Sequence, residues 1–349
     1  MSEIELLMNE HIRNLTPYSS ARDDFKGKAD IYLDANESWY DGVERANRYP
    51  DPEAVLLRRK LQDVLCLPFE KTVIGNGSDE IIDLLIRIFC ASGKDSIMIE
   101  RPTYGAYKVF ADINNVQTIN VCLKEDFSLD IDKMISTIKE RKPKIVFICS
   151  PNNPTGNVFP LSEIETIAKA NDGITVIDEA YSDFEPEFQS AISLIDEYPR
   201  VCVLKTLSKA WAIAGARVGI LVANKEIRDT ISKVKPPYNV SATSQRVAIE
   251  ALDDNLEIKK VRDEIIEQRE LLEKKIASLP YVKEVIPTNT NFILIRVDDA
   301  DRLYYYLMKK GIIVRNRTHE PLLAGVLRVT VGSERENKSL MEALNGYKP

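Results

Sequence analysis

Hydrophobic residues fall into two regimes along this chain. Between residues 72 and 223 they come in short continuous runs, at 72–74, 96–100, 144–149, 174–177, 201–204 and 218–223. Runs of this kind, rich in Val and Ile and bounded by polar residues, read as strands buried on both faces of a parallel sheet. Apolar residues at helical spacing mark a helix over 53–64 and another running from the Gly77 turn to about Phe89. From Ile119 onward, strand and helix patterns repeat with short connections, which predicts a doubly wound α/β layer. From Lys225 the pattern changes: helical periodicity with dense charge over 241–278 predicts one long linking helix. Strands at 282–286, 292–297, 312–315 and 327–331, with helices at 299–310 and 334–345, then read as a small α/β domain. The start reads as an arm, with one amphipathic turn of helix before a polar, Gly-containing stretch. The expected division is an arm over 1–30, a large domain over 31–250 and a small domain over 251–349, with no internal repeat.

Composition narrows the classes. A length of 349 residues suits about two domains, and 44% apolar with 29% charged residues is an ordinary globular balance. The net charge of −7 argues against a nucleic-acid partner, which needs a basic face. No apolar run approaches a membrane span, and the acidic start lacks the features of a secretion signal, so a cytoplasmic location is expected. Cys66, Cys90, Cys122, Cys149 and Cys202 are scattered without a close pair, as free thiols in a reducing compartment would be. With only His11 and His319, no histidine-based metal site is expected.

The chemistry gathers at strand ends. Three successive apolar runs end in Ser150-Pro-Asn-Asn153-Pro-Thr-Gly156, Asp178-Glu-Ala-Tyr181 and Thr206-Leu-Ser-Lys209, so the sheet delivers all three to one edge. Either Lys205 or Lys209, taken alone, reads as a surface lysine. Around Lys209, however, Thr206, Ser208, Arg217 and nearby glycines form a phosphate cradle beside a nucleophilic amine, a pairing that fits pyridoxal phosphate. Thr72-Val-Ile-Gly75-Asn-Gly77-Ser78-Asp79-Glu80 reads as strand, glycine turn and helix N-terminus, with Ser78 or Asp79 able to cap and free amides able to receive an anion. It lacks the third glycine of a dinucleotide fingerprint, which excludes a Rossmann dehydrogenase. Tyr104, in Pro102-Thr-Tyr-Gly-Ala-Tyr107, lies just past a strand and could stack on a flat ring or simply pack a helix start. Asp178 suits a protonated pyridine nitrogen, and Asn153 and Tyr181 could bond the ring hydroxyl. Arg315 and Arg328 could hold a substrate carboxylate or phosphate, since a guanidinium grips such anions bidentately.

Thr206-x-Ser208-Lys209-Ala210 with Arg217-x-Gly219 resembles the lysine motif of class I and II aminotransferases, within the fold-type I pyridoxal-phosphate superfamily. Thr206 departs from the serine of many relatives but keeps the hydroxyl. Thr16-Pro-Tyr18, Asp34-Ala-Asn36-Glu37, Arg48-Tyr49-Pro50, Ile312-Ile-Val-Arg315 and Leu327-Arg328-Val-Thr-Val-Gly332 bring the chain closer to histidinol-phosphate aminotransferases. That resemblance implies a large doubly wound domain, a small C-terminal domain and an arm packing with the small domain. It implies Lys209, Asp178 and Tyr181 as catalytic residues. Gly77, Ser78, Asp79, Tyr104, Asn153, Thr206, Ser208 and Arg217 would bind pyridoxal 5'-phosphate with them. Tyr49 would cross to the partner site of a homodimer, and Tyr18, Asn36, Asn153, Arg315 and Arg328 would bind substrate. The implied reaction is reversible amino transfer between L-histidinol phosphate and 2-oxoglutarate, giving imidazole acetol phosphate and L-glutamate in histidine biosynthesis. Aromatic aminotransferases and threonine-phosphate decarboxylases of the same fold are the alternatives.

Overall fold

The computed structural model describes residues 1–18, 29–43 and 46–349. Two short helices, α1 (Glu3–Leu7) and α2 (Glu10–Arg13), precede α3 (Val55–Leu65). The large domain is then built from β1 (Thr72–Asn76), α4 (Gly77–Phe89), β2 (Ser96–Arg101), α5 (Ala106–Ile113), β3 (Gln117–Cys122) and α6 (Ile131–Arg141). It continues through β4 (Ile145–Cys149), α7 (Leu161–Ala170), β5 (Ile174–Asp178), β6 (Val201–Thr206), β7 (Val218–Ala223), α8 (Lys225–Val234) and α9 (Ala242–Asp253). Seven strands form one sheet in the order β1-β7-β6-β5-β4-β2-β3. Only β7 runs against the rest, pairing antiparallel with both β1 and β6.

Both faces of this sheet are covered, which explains the uninterrupted apolar runs. In β4, Val146 and Ile148 enter one core with α3, α6 and α7, while Ile145 and Phe147 enter a second core with α4, α5 and α8. Cys90, Cys149 and Cys202 are buried in that second core, whereas Cys66 and Cys122 are exposed; all five are free thiols.

The arm departs from expectation. Its first described stretch, residues 1–18, packs on the large domain rather than the small one, because Ile4, Met8 and Ile12 recur every fourth residue and enter the α4/α8 core, while residues 19–28 lie outside the described residues. Asn9 fastens it, donating from its backbone amide to the Ile88 carbonyl (2.8 Å) and from its side-chain amide to the Arg87 and Cys90 carbonyls (2.8 Å each), which the end of α4 leaves unpaired. Nor is the linking helix continuous: Asp254 leaves helical geometry at φ −89° and ψ 28° between α9 and α10 (Asn255–Ala277). The break lets α9 stay on α3 while α10 turns to the small domain.

The small domain comprises β8 (Val282–Ile286), β9 (Phe292–Val297), α11 (Ala300–Lys309), β10 (Arg315–Asn316), β11 (Val326–Thr330) and α12 (Glu334–Asn345). Its antiparallel sheet runs β10-β11-β9-β8. One face packs on α10, α11 and α12 through Ile293, Ile295, Leu327 and Val329. The other face sends Phe292, Leu294 and Val326 into the large domain's core, so the two domains meet across a cleft at the carboxyl ends of the parallel strands.

Candidate active site

A cavity opens at that cleft, walled by Ser78, Asp79, Tyr104, Cys149, Asn153, Asp178, Ala180, Tyr181, Thr206, Ser208, Lys209 and Arg217. The motifs expected at the ends of β4, β5 and β6 do meet there. Strand alternation separates the two lysines. Asp178 and Thr206 point to the α4/α5 face, with Cys202 and Leu204, and Lys209 follows beyond the strand end. Lys205 points to the opposite face, where its Nζ lies 3.0 Å from Glu179 Oε2 and 2.8 Å from Ser182 Oγ. Of the two, only Lys209 has its amine at the cavity.

The glycine turn is built by two missing side chains. Gly219 of β7 is opposite both Gly75 and Thr206, and a Cβ there would lie 2.2 Å from the backbone of Gly77 and Ser78. Without it, the turn rests directly on β7. Gly77 has φ +76°, and its amide donates to the Arg217 carbonyl at 2.8 Å. The first amides of α4 and the Arg217 guanidinium thus face one space, with Thr206 and Ser208 at its floor. An anion fits this arrangement of a helix N-terminus, hydroxyls and a cation. Ser78 and Asp79 do not cap α4, whose N-cap is Asn76 with no side-chain bond. Asp79 instead accepts from the Tyr104 hydroxyl (3.0 Å) and from Arg217 (3.2 Å), tying the aromatic to the turn.

Asp178 is buried at the floor. Its Oδ2 accepts from the Tyr107 hydroxyl at 2.7 Å and its Oδ1 from the Ala180 amide at 3.1 Å. Burial pushes its carboxyl up to about 6, with both hydrogen bonds pulling the other way. A cation placed beside it would further favour the ionised form. Tyr107 is a site residue that its spacing of three from Tyr104 at a helix start could have signalled; the two rings meet edge to face, their centres 5.5 Å apart.

Lys209 stands exposed within the cavity mouth, its Nζ 5.6 Å from the centre of the Tyr181 ring. The protein around the amine lowers its proton affinity, Arg328 adds to that effect, and Asp178 opposes it. Burial raises the Tyr181 hydroxyl to about 12, which keeps it protonated as a donor. From the small domain, Arg328 crosses the cleft to Asn153 Oδ1 at 2.5 Å and lies over the Phe292 ring at 5.1 Å.

Other expected residues sit apart within the single chain. Arg315 is the register partner of Arg328 but is exposed. Tyr18 and Asn36 are exposed, and Tyr49 stacks on Tyr238 with ring centres 4.5 Å apart, away from the cavity wall. Among the described residues, no group of three or more His, Cys, Asp or Glu side chains could hold a metal ion, and no helix is long and apolar enough to cross a membrane.

This architecture has counterparts. The histidinol-phosphate aminotransferase of Cytophaga hutchinsonii is 44% identical over 347 residues, covering 99% of each chain. The crystal structure of the Clostridium acetobutylicum histidinol-phosphate aminotransferase superposes with a TM-score of 0.79 at 27% identity, covering 88% of this chain and 92% of that one. The Sinorhizobium meliloti enzyme of the same name, solved in complex with pyridoxal-5'-phosphate, shares the fold at a TM-score of 0.79 and 23% identity, covering 85% and 82%. The family model for aminotransferase class I and II matches residues 36–344, and this chain belongs to that family.

Proposed function

We propose that this protein is a pyridoxal-phosphate-dependent histidinol-phosphate aminotransferase, exchanging an amino group between L-histidinol phosphate and 2-oxoglutarate. One observation carries the reading: the Lys209 amine and the buried Asp178 carboxylate line one cavity whose far end is an anion cradle, and the small-domain Arg328 reaches its wall at Asn153. The donor set fits the cofactor. The α4 amides, Thr206, Ser208 and Arg217 suit its phosphate, Asp178 its ring nitrogen, Asn153 and Tyr181 its ring oxygen, and Lys209 its aldehyde carbon.

When bound, the cofactor supplies the electron sink that makes the substrate's Cα–H bond acidic. The chain's own groups do the rest. Asp178 keeps a proton on the ring nitrogen, because a carboxylate in a buried site strongly favours the cation beside it. Lys209 Nζ accepts the proton from the substrate's Cα, and its lowered proton affinity leaves more of the amine neutral for that task. Arg328 anchors the substrate's anionic end and, through Asn153, couples that anchoring to the cofactor's edge. The two substrates bring different anions, a phosphate and carboxylates, to the same guanidinium groups.

Tyr49, Leu33, Trp39 and Val43 are exposed, the last three at 92%, 88% and 87%. So much apolar surface suits contact with a second copy, and a homodimer in which Tyr49 reaches the partner's cofactor site is part of this proposal.

The test is turnover by the purified protein with histidinol phosphate beside aromatic amino acids and threonine phosphate as donors, followed by glutamate formation and by carbon dioxide release. Preference for an aromatic amino acid, or release of carbon dioxide, overturns the substrate assignment. Sedimentation of the holoenzyme as a monomer overturns the dimer.

A further inference from the structure

A third arginine faces the same cleft. Residues alternate between the faces of a strand. Arg317 lies two residues past Arg315 and extends the pairing of β10, its amide donating to the Val326 carbonyl at 2.9 Å. It therefore shares the face that carries Val326 and Arg328 of β11 and Phe292 and Leu294 of β9. Val326, Phe292 and Leu294 are buried in the core that also holds Ile148 and Tyr181 of the large domain. This is the face turned to the cavity. The Arg317 side chain is partly buried there, and its Nε is buried with no hydrogen-bond partner among the described residues. Its backbone is held at both ends, since its carbonyl also accepts from the Glu320 amide at 2.9 Å.

The charges around it do not balance. Arg328 and Arg315 repel the Arg317 guanidinium, and Glu320 opposes them. The Glu320 carboxylate is committed to Arg101 at 2.8 Å. Arg317 and Arg328 thus lie beside Tyr181 with the exposed Arg315 next to both, and burial together with repulsion among the three weakens the hold of Arg317 and Arg328 on their protons. A buried donor without an acceptor and a cluster of like charges are both costly. An anion bound among them relieves both costs.

We propose that Arg317 is a third binding residue for the substrate's anion and that it biases the site toward a doubly charged phosphate over a carboxylate. A carboxylate presents two oxygens and one charge, which a single guanidinium can grip. A phosphate monoester presents three oxygens and close to two charges, leaving an oxygen and a charge for a further donor. The proposal rests on the histidinol-phosphate reading above.

In the holoenzyme, Arg317→Gln should raise KM for histidinol phosphate, and the calorimetric Kd for inorganic phosphate, by about tenfold or more. KM for glutamate should change by less than about threefold, and the visible absorbance of the bound cofactor should match the parent. Arg317→Lys, which keeps the charge without the fork, should recover part of the phosphate affinity. Equal losses toward phosphate and glutamate, or undiminished phosphate binding in both variants, overturns the proposal. The functional reading is checked separately on the parent protein: failure to turn over histidinol phosphate overturns that reading, whereas weakened phosphate binding in Arg317→Gln supports the anion role independently of it.

Discussion

Arg315 and Arg328 are direct cross-strand partners in the β10–β11 pair, yet only Arg328 is withdrawn from solvent and bonded across the cleft to Asn153. Their contributions should differ accordingly. Removing a charged donor from a desolvated pair costs about 2 to 5 kcal/mol, whereas an exposed charge contributes about 1 kcal/mol or less. Arg328→Ala should therefore lower kcat/KM for histidinol phosphate on the order of 100-fold, and Arg315→Ala about tenfold or less. Steady-state kinetics of the two variants decide the matter. Equal losses would mean that Arg315 is drawn into the site when substrate binds.

Asp178→Asn keeps the shape of the residue at the end of β5 and can still accept from Tyr107. It cannot supply the negative charge that holds a proton on the cofactor's ring nitrogen. Turnover should fall on the order of 100-fold or more while the protein still takes up the cofactor, since loss of one preorganised electrostatic contact costs that much elsewhere. Near-parental turnover would make Asp178 a structural acceptor for Tyr107 and nothing more.

Which parts of this arrangement were legible in the sequence follows from how local their causes are. The end of each parallel strand could be read because a run buried on both faces stops abruptly where polar chemistry begins, as at Cys149, Asp178 and Thr206. The break at Asp254 carries no proline or glycine, and it arises because α9 and α10 bury their stripes against different domains. The stripe of Ile4, Met8 and Ile12 announced a buried face, but which domain covers it is a tertiary fact. The strand expected over 312–315 shrinks to Arg315–Asn316, because Gly311 at φ +79° and the burial of Val314 in the small domain's core turn the preceding residues out of the sheet. Arg317 was missed for the same reason: its face is set by a register that begins two residues before it.

The two lysines of the central motif should separate cleanly in a labelling experiment. Borohydride reduction of the yellow holoenzyme should fix the cofactor to Lys209 alone. Lys205→Met should leave the colour and labelling unchanged but destabilise the protein by about 3 kcal/mol, because it removes one partner of an ion pair whose Glu179 side chain is fully buried. Peptide mapping and urea midpoints provide the two readouts. Label on Lys205, or loss of colour in Lys205→Met, contradicts the placement of the lysines on opposite faces.

Glu100 gives the apoenzyme a pH dependence of predictable sign. It is fully buried beside the cavity floor, its Oε1 accepting from the Cys149 amide (2.8 Å) and the Thr103 hydroxyl (2.9 Å), while its Oε2 has no partner among the described residues. Burial pushes this carboxyl up to about 7, and Asp178 nearby up to about 6. An acid whose pKa rises on folding binds its proton more tightly in the folded state. The resulting stability is complete below the unfolded value of about 4.3 and is lost as pH climbs through about 7. The apoenzyme should therefore lose stability between about pH 5 and pH 8, by an amount on the order of 2 to 3 kcal/mol for Glu100. Glu100→Gln keeps an acceptor for Cys149 and removes the titration, so its urea midpoint should fall less over the same range, with the remaining slope near pH 6 belonging to Asp178. If the parent instead gains stability over the variant as pH rises past 7, the buried carboxylate is stabilised in its charged form and the assigned direction is wrong.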